Sequence, residues 1–254
     1  MNNLKRQNPS LKTLLAVGGW NHGSKGFTEM VQTDAGIEQF ITNSMAYVRN
    51  INYDGLDLDW EYPAKCSVDC SPEGDYYRFG RLIEMYRSRI NAENTTNKFL
   101  LTAAVGIGQD KIYDRDGSGL PSYNPKQLTD NLDMVNLMMY DMHGHWEDKT
   151  GHHALAHKIS GDDRLGGTTN AEWVIDNWIA LGADPAKMAL GLGSYGRSFK
   201  LENPANNGYM APTKKGNNGL YSGAPGPCTR EGGYLAYYEI CDNLRNKVSD
   251  VFEA

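Results

Sequence analysis

Residues 55–61 read GLDLDWE, and this stretch is the strongest indication of the fold. Side chains alternate between the two faces of a β-strand, so Asp57, Asp59 and Glu61 share one face while the leucines and the tryptophan share the other. An apolar face of this kind predicts a cover of helices, which places the carboxyls on the inner side of a parallel sheet. Glu61 then lies nearest the carboxyl end of the strand, where α/β barrels have their active sites.

Four more apolar runs have the composition of buried parallel strands. They span residues 14–17, 99–105, 134–140 and 188–192, and with residues 55–60 they recur roughly every 35 to 55 residues, as βα units do. Helical periodicity predicts three helices: one behind an N-cap at Asp34, one behind Ser71 and Pro72, and one over residues 169–181. The third helix contains Trp173 and Trp178, which we expect to pack in the core. A closed (β/α)8 barrel has more strands than the chain supplies, so we expect an α/β fold with an incomplete TIM barrel over residues 1–194.

The sequence pattern changes after Gly193. Residues 198–233 are rich in Gly, Pro and Asn, show no helical period and lead into the aromatic run YLAYY at residues 234–238. We therefore expect residues 195–254 to form part of a separate, mostly antiparallel α+β insertion domain.

Composition and charge limit the partners that we expect. The chain has 25 Lys and Arg against 31 Asp and Glu, a net charge of −6, which argues against binding to the phosphate backbone of a nucleic acid. No apolar run is long enough to span a membrane, and the opening residues MNNLKRQNPSLK lack the apolar core of a secretory signal. The sequon at residues 94–96 is a weak indication of glycosylation.

Metal and cofactor sites are the main alternatives to an acidic catalytic strand. A calcium loop needs polar residues and a glycine between its acids, whereas leucine and tryptophan separate them here. A purely structural cluster is disfavoured because buried acids are costly without a function. Residues 191–196, GLGSYG, match a dinucleotide-binding pattern, but the helix that the pattern requires does not follow. A polar, glycine-rich loop contains five histidines that could suggest a metal site, and we interpret them as ordinary loop residues: His143, His145, His152, His153 and His157. We expect no metal and no cofactor.

Four motifs, in the same order along the chain, resemble those of glycoside hydrolase family 18, and specifically of animal chitinases. They are LLAVGGW at residues 14–20, YDGLDLDWEYP at residues 53–63, MMYD at residues 138–141 and YGRSF at residues 195–199. The motif at residues 53–63 resembles the family's D-x-x-D-x-D-x-E signature, and the resemblance extends over nearly the whole chain. It implies a TIM barrel that acts on chitin or chito-oligosaccharides outside the cell without a cofactor. We expect a monomer.

The resemblance also implies a role for each residue of the acidic strand. Glu61 would be the general acid and later the base, Asp59 would orient the N-acetyl group of the substrate, and Asp57 would share a proton with Asp59. Tyr140 would hydrogen-bond the acetamido group. The implied mechanism is substrate-assisted, with attack by the acetamido oxygen on the anomeric carbon and net retention.

The resemblance implies further contacts with the sugar, and we expect Trp20 to stack on a sugar ring while Trp146 either lines the cleft or packs. The substrate-binding residues that we predict are Trp20, Tyr62, Met138, Asp141, Trp146, Tyr195, Arg197 and Glu231.

Three functions compete within this family resemblance. The first is an endo-acting chitinase. The second is a non-catalytic chitin-binding lectin, whose members usually lack the acid that Glu61 supplies, and the third is an endo-β-N-acetylglucosaminidase that acts on glycoproteins. The signal peptide, two upstream strands and the last strand of animal chitinases have no counterpart in this sequence, so we expect a poorly stable chain with weak or no activity. Cys241 would lack the family's disulfide partner, and the pairing of Cys66, Cys70 and Cys228 stays open.

Overall fold

The computed structural model describes residues 2–65, 72–93, 98–113, 120–216 and 219–246. The chain divides into two compact units, which we call the sheet unit (Met1–Met138 and Val174–Leu190) and the loop unit (Met139–Trp173 and Gly191–Ala254). The domain boundary between residues 194 and 195 stays a prediction. Among the described residues, no helix combines the length and the apolar character that crossing a membrane requires.

The sheet unit contains one parallel sheet in which the strands lie in chain order. The strands are β1 (Leu14–Gly18), β2 (Gly55–Asp59), β3 (Leu100–Val105), β4 (Met134–Leu137) and β5 (Met188–Leu190). All five strands predicted from apolar runs are therefore confirmed, although most of them are shorter than predicted. In the described part of the chain the sheet is open, and β1 and β5 form its edges.

The first of the helices described here precedes β1, and the others connect the strands, as βα units require. They are α1 (Asn2–Gln7), α2 (Lys25–Met30), α3 (Asp34–Asn50), α4 (Pro72–Ala92), α5 (Gln109–Ile112), α6 (Pro125–Asn131) and α7 (Ala171–Ala180). The N-cap of α3 is Thr33 and not Asp34 as predicted: Thr33 is the last residue with extended backbone, and its hydroxyl accepts a hydrogen bond from the N–H of Gly36 at 3.1 Å.

The apolar face of β2 packs into the core, as the alternation predicts. Leu56 and Leu58 are fully buried, and so is Trp60 just beyond the strand. The indole of Trp60 stacks on Phe27 with ring centroids 5.0 Å apart, and its N–H donates to the hydroxyl of Ser24 at 2.9 Å. This packing fixes which face of β2 the acids occupy. Of the two helical tryptophans predicted for the core, Trp178 is fully buried and Trp173 is half-buried.

The second segment of the loop unit contains a pair of antiparallel strands, in agreement with the predicted antiparallel arrangement. Strand β6 (Tyr195–Arg197) pairs with β7 (Tyr234–Ala236), and helix α8 (Tyr237–Arg245) follows directly, so the aromatic run is divided between a strand and a helix. The carboxylate of Glu239 accepts hydrogen bonds from the backbone N–H groups of Cys228, Thr229 and Ala236 and from the hydroxyl of Thr229, at 2.8 to 3.0 Å. Burial alone would raise the pKa of Glu239, but these bonds lower it to about 2.

Within the described residues the exposed Cys228 and the half-buried Cys241 form no disulfide. Cys66, Cys70, Ser71 and the sequon at residues 94–96 lie outside the described residues.

Candidate active site

The acids of β2 stand on the sheet face opposite the helices. Asp57 and Asp59 are half-buried members of the strand, and Glu61 is a half-buried residue two positions beyond its end. The strand is thus shorter than predicted, and Glu61 belongs to the loop at the carboxyl end of the sheet. The arrangement provides a row of carboxyls at the end of a parallel sheet where ligands are bound in α/β proteins.

Asp57 is held by polar groups from the two next strands. Thr102 of β3 and Asn136 of β4 both donate hydrogen bonds to Oδ1 of Asp57, the bond from Asn136 measuring 3.1 Å. Burial raises the pKa of Asp57, and the two hydrogen bonds oppose that rise. Neither partner was predicted from the sequence, although each is a polar residue in an otherwise apolar strand, LLTAAV and MVNL.

Asp59 is the acid whose protonation the site changes most clearly. Burial, followed by the negative charges of Glu61 and Asp57, raises the pKa of Asp59 from 3.8 to about 6. Its Oδ1 atom is buried and has no hydrogen-bond partner among the described residues. The role of Glu61 stays a prediction.

A glycine pair at the end of β1, Gly18 and Gly19, allows the backbone of Asp59 to approach closely. The N–H of Gly19 donates to the carbonyl oxygen of Asp59 at 2.8 Å. A Cβ on Gly18 would lie 2.0 Å from the same oxygen, and Gly18 has a φ of 116°, which side-chain-bearing residues rarely adopt. The next residue, Trp20, begins a short 3-10 turn and is 72% exposed, so its indole face is open to a ligand. Its predicted stacking on a sugar stays a prediction.

Two other predicted contacts of the sheet unit lie at strand ends. The ammonium of Lys111 is 4.5 Å from the ring centroid of Tyr62, and the missing side chain of Gly106 makes room for that ring. Met138 directly follows β4, is half-buried, and donates its N–H to the carbonyl of Val105 at 3.1 Å.

The loop unit brings together several residues that were predicted separately from the sequence. Arg197 donates from Nε to Oδ1 of Asp141 at 2.7 Å. Its guanidinium carbon lies 5.3 Å from the ring centroids of Trp146 and Tyr195 and 5.6 Å from that of Tyr234. Trp146 is 44% exposed, so it carries this stack at the surface and is not a core residue. Tyr234 was not predicted as a site residue, and only the pairing of β7 with β6 reveals it.

Tyr140 and Glu231 complete the predicted set in the loop unit. The ring of Tyr140 meets that of Tyr195 edge-on with centroids 6.1 Å apart. Glu231 is exposed, and its negative charge contributes to the raised pKa of Arg197.

The charges of this cluster are fixed near neutral pH. Burial alone would raise the pKa of Asp141, but hydrogen bonds from Arg197 and Tyr195 lower it. Burial and the bond to Asp141 raise the pKa of Tyr195 well above its ordinary range. The cluster therefore presents a carboxylate, a guanidinium, a neutral phenol and aromatic faces, which suit polar ligands with flat apolar sides such as sugars.

In the described ranges, no three His, Cys, Asp or Glu side chains form a group that could hold a metal ion. The loop histidines have other contacts: His143 bonds to Glu147 at 2.9 Å, and His152 stacks on Tyr209 with ring centroids 5.2 Å apart.

Comparison with known proteins extends over almost the entire chain. The sequence pattern of the family described as glycosyl hydrolases family 18 matches residues 1–252. The chain is 36% identical to chitotriosidase-1 of Mus musculus over 254 residues, which covers 98% of this chain and 51% of that protein. It is 35% identical to chitinase-3-like protein 2 of Homo sapiens, with 96% of this chain and 58% of that protein covered. The chain thus spans about half the length of the curated relatives that it matches.

Solved structures give the same result. The Group IV chitinase of Ostrinia furnacalis in complex with allosamidin superposes with a TM-score of 0.83 at 33% identity, covering 97% of this chain and 62% of that one. Human YKL-39, described as a pseudo-chitinase with retained chitooligosaccharide binding properties, superposes with a TM-score of 0.82 at 34% identity and covers 96% and 62%. The five-stranded parallel sheet is accordingly part of the α/β TIM-barrel fold of these proteins. By sequence and by fold, the chain belongs to glycosyl hydrolases family 18.

Proposed function

We propose that this chain carries the active site of a chitinase, which cleaves β-1,4-linked N-acetylglucosamine polymers with retention of configuration. The observation that carries the proposal is the row of acids on β2, in which the middle acid, Asp59, has a pKa raised to about 6 while Glu61 lies at the carboxyl end of the sheet. In this row Asp57 and Asp59 exchange a proton beside Glu61, an arrangement that suits acid catalysis near neutral pH.

In this mechanism the substrate supplies the nucleophile. The acetamido oxygen attacks the anomeric carbon, the bond to the leaving sugar breaks, and Glu61 gives its proton to the departing oxygen. Asp59 accepts a hydrogen bond from the acetamido N–H, and its own proton passes to Asp57. Water then attacks the anomeric carbon of the oxazolinium ion, the bond from that carbon to the acetamido oxygen breaks, and the water gives a proton to Glu61. The proton on Asp57 returns to Asp59, which restores the starting state. Two inversions at the same carbon give net retention.

Asp57 can take part because of its neighbours. Thr102 and Asn136 hold Oδ1, so Oδ2 is the oxygen available to receive the proton from Asp59. We propose that sugar units are bound through polar and aromatic contacts by the residues predicted for this purpose, namely Trp20, Tyr62, Met138, Tyr140, Asp141, Trp146, Tyr195, Arg197 and Glu231. An extracellular location, endo-acting cleavage and a monomeric state stay predictions.

A chitin-binding lectin is the second candidate. It is favoured by one observation, the similarity to YKL-39, which is described as binding chitooligosaccharides as a pseudo-chitinase. Binding and hydrolysis must therefore be measured separately in this chain.

The test uses the whole 254-residue chain. Turnover of a fluorogenic chito-oligosaccharide is measured alongside binding of N-acetylchitotetraose, for the chain itself, for Glu61→Gln and for Glu38→Gln. We expect Glu61→Gln to lower turnover about 100-fold or more while binding persists, since general acid catalysis contributes about that much. Glu38→Gln removes an exposed carboxyl of α3, 51% exposed, and should change neither quantity.

The possible results separate the two functions. Turnover that is unaffected by Glu61→Gln would overturn the proposed mechanism. Binding of the tetrasaccharide without turnover by the unaltered chain would establish the lectin in place of the enzyme, and a folded chain with neither property would exclude both.

A further inference from the structure

His153 packs against Tyr195 in the aromatic cluster of the loop unit, yet no role was predicted for it. Its half-buried imidazole lies 4.7 Å from the ring of Tyr195, centroid to centroid, with a tilt of 36°. Gly193 makes room for it, because a Cβ there would lie 3.0 Å from Cε1 of His153 and 3.0 Å from Cε1 of Tyr195. The imidazole is therefore packed between backbone and ring and has little freedom to turn.

The polar atoms of His153 engage both residues that hold each other in the cluster. Its Nδ1 atom faces the backbone N–H of Asp141 at 3.5 Å, and the imidazole also hydrogen-bonds to the backbone of Tyr195. The carbonyl of His153 accepts from the N–H of Met142 at 3.0 Å, so the main chain is tied on the same side. Asp141 has a φ of 58°, which is uncommon for a residue with a side chain and persists only where the surroundings enforce it. The contact with His153 is part of the environment that keeps Asp141 in this conformation.

This arrangement suits only a neutral imidazole. An Nδ1 atom that faces an N–H group must accept, so the ring proton belongs on Nε2. A second proton, on Nδ1, would place an N–H of the imidazole directly opposite the backbone N–H of Asp141, so that two donors would face each other. The charge of Asp141 and the hydrogen bond to the Tyr195 backbone favour protonation of His153, whereas Arg197 and His152 oppose it. Burial is the largest influence, and together these effects lower the pKa of His153 from 6.5.

We infer that His153 is a positioning residue that, while neutral, holds the backbone of Asp141 beside Tyr195 in the conformation that binds a sugar, and that its protonation breaks the contact with the Asp141 N–H. The sugar-binding part of this inference rests on the proposed function, whereas the coupling of His153 to Asp141 does not. Sugar affinity should then fall on acidification, by about tenfold for each pH unit below the pKa of His153 in the folded chain.

The first experiment needs no sugar. The backbone amide resonance of Asp141 is followed by NMR between pH 7.5 and pH 4.5, conditions chosen to bracket the ordinary histidine pKa of about 6.5. We expect a shift that follows the titration of His153 and is absent in His153→Asn, because asparagine can accept from Asp141 but cannot take up a proton. His157→Asn is the matched control: His157 lies in the same segment, is 79% exposed and bonds to Glu172, so its loss should leave the Asp141 resonance unchanged. An Asp141 resonance that does not follow His153 would overturn the inference.

The second experiment measures the affinity for N-acetylchitotetraose over the same pH range. Asp59 also titrates there, with a pKa of about 6, so the informative quantity is the ratio of the affinities of the unaltered chain and His153→Asn, from which the effect of Asp59 cancels. We expect the affinity of the unaltered chain relative to that of His153→Asn to decrease as the pH is lowered. The affinity of the unaltered chain relative to that of His157→Asn should stay constant. A constant ratio for His153→Asn would refute a positioning role in binding. His153→Gln serves in the same comparison if the asparagine variant does not fold. If neither the unaltered chain nor any variant binds the sugar, the proposed function fails. The NMR result still decides whether His153 is coupled to Asp141.

Discussion

Replacing Asp59 by asparagine should make the folded chain more stable at pH 7.5 and leave its stability unchanged at pH 4. Burial and the charges of Glu61 and Asp57 raise the pKa of Asp59 from 3.8 to about 6, so the folded state disfavours the ionised carboxyl. Between those pH values the folded chain holds a proton that the unfolded chain has lost, and the free energy of unfolding therefore falls as the pH rises through this range. Asparagine has nearly the same shape as aspartate and carries no charge, so the variant should not lose stability in this way as the pH rises.

The size of the effect follows from the pKa of Asp59. A rise from 3.8 to about 6 is roughly a 100-fold change in acidity, which is worth about 3 kcal/mol at about 1.4 kcal/mol per tenfold. The carboxyl is only half-buried, and solvent weakens the interactions of partly exposed charges, so we expect about half of that, ~1.5 kcal/mol. A gain in stability on removing Asp59, for which we propose a role in catalysis, would fit the usual trade-off between stability and activity.

The assay is urea unfolding followed by circular dichroism at several pH values between 4 and 7.5, chosen to bracket the carboxyl pKa range. The matched control is Asp163→Asn, which removes the same charge where the side chain is 85% exposed and should alter the free energy of unfolding by less than about 0.5 kcal/mol. The reasoning is refuted if Asp59→Asn is no more stable than the unaltered chain at pH 7.5, or if both lose the same stability between pH 4 and pH 7.5.

Two further substitutions test the support of the site and of the loop unit. Gly18→Ala should destabilise the chain by about 3 kcal/mol or more in urea unfolding, because its Cβ would lie 2.0 Å from the carbonyl oxygen of Asp59. Gly23→Ala is the control, with a φ of 68° but no atom within 4 Å of the added Cβ, and should lose only about 1 kcal/mol; equal losses would show that backbone strain alone matters at Gly18. Glu239→Gln should lower the thermal midpoint of unfolding at pH 7, because the ionised carboxylate accepts four hydrogen bonds, and the difference should shrink as the pH falls toward the pKa of Glu239 at about 2. A difference that is the same at pH 7 and near pH 2 would contradict this explanation.

The strands were predictable because their signal is local. A continuous apolar run bounded by turn residues predicts a buried parallel strand without any knowledge of its neighbours, and all five such runs form strands. The ends of the strands were less predictable. Residues 138–140 are as apolar as the strand before them, yet β4 ends at Leu137, which pairs with the last residue of each neighbouring strand, Val105 of β3 and Leu190 of β5.

The same distinction applies to the candidate site. Alternation along β2 predicted that Asp57 and Asp59 share a face, and the burial of Leu56 and Leu58 confirms which face that is. Thr102 and Asn136 were not predicted, since they lie 45 and 79 residues from Asp57 along the chain and meet it only through strand register. His153 was interpreted as an ordinary loop residue for the same reason.

The amino-acid sequence alone determined the chemistry that is available: which residues are acids, where they fall in the period of a strand, and which family's motifs they match. The tertiary structure decided how those acids behave. Whether a carboxyl keeps its proton depends on the water, charges and hydrogen-bond donors around it, and these come from distant segments that the fold brings together. For this reason the row of acids could be predicted from the order of the residues, whereas the pKa of about 6 at Asp59 could not.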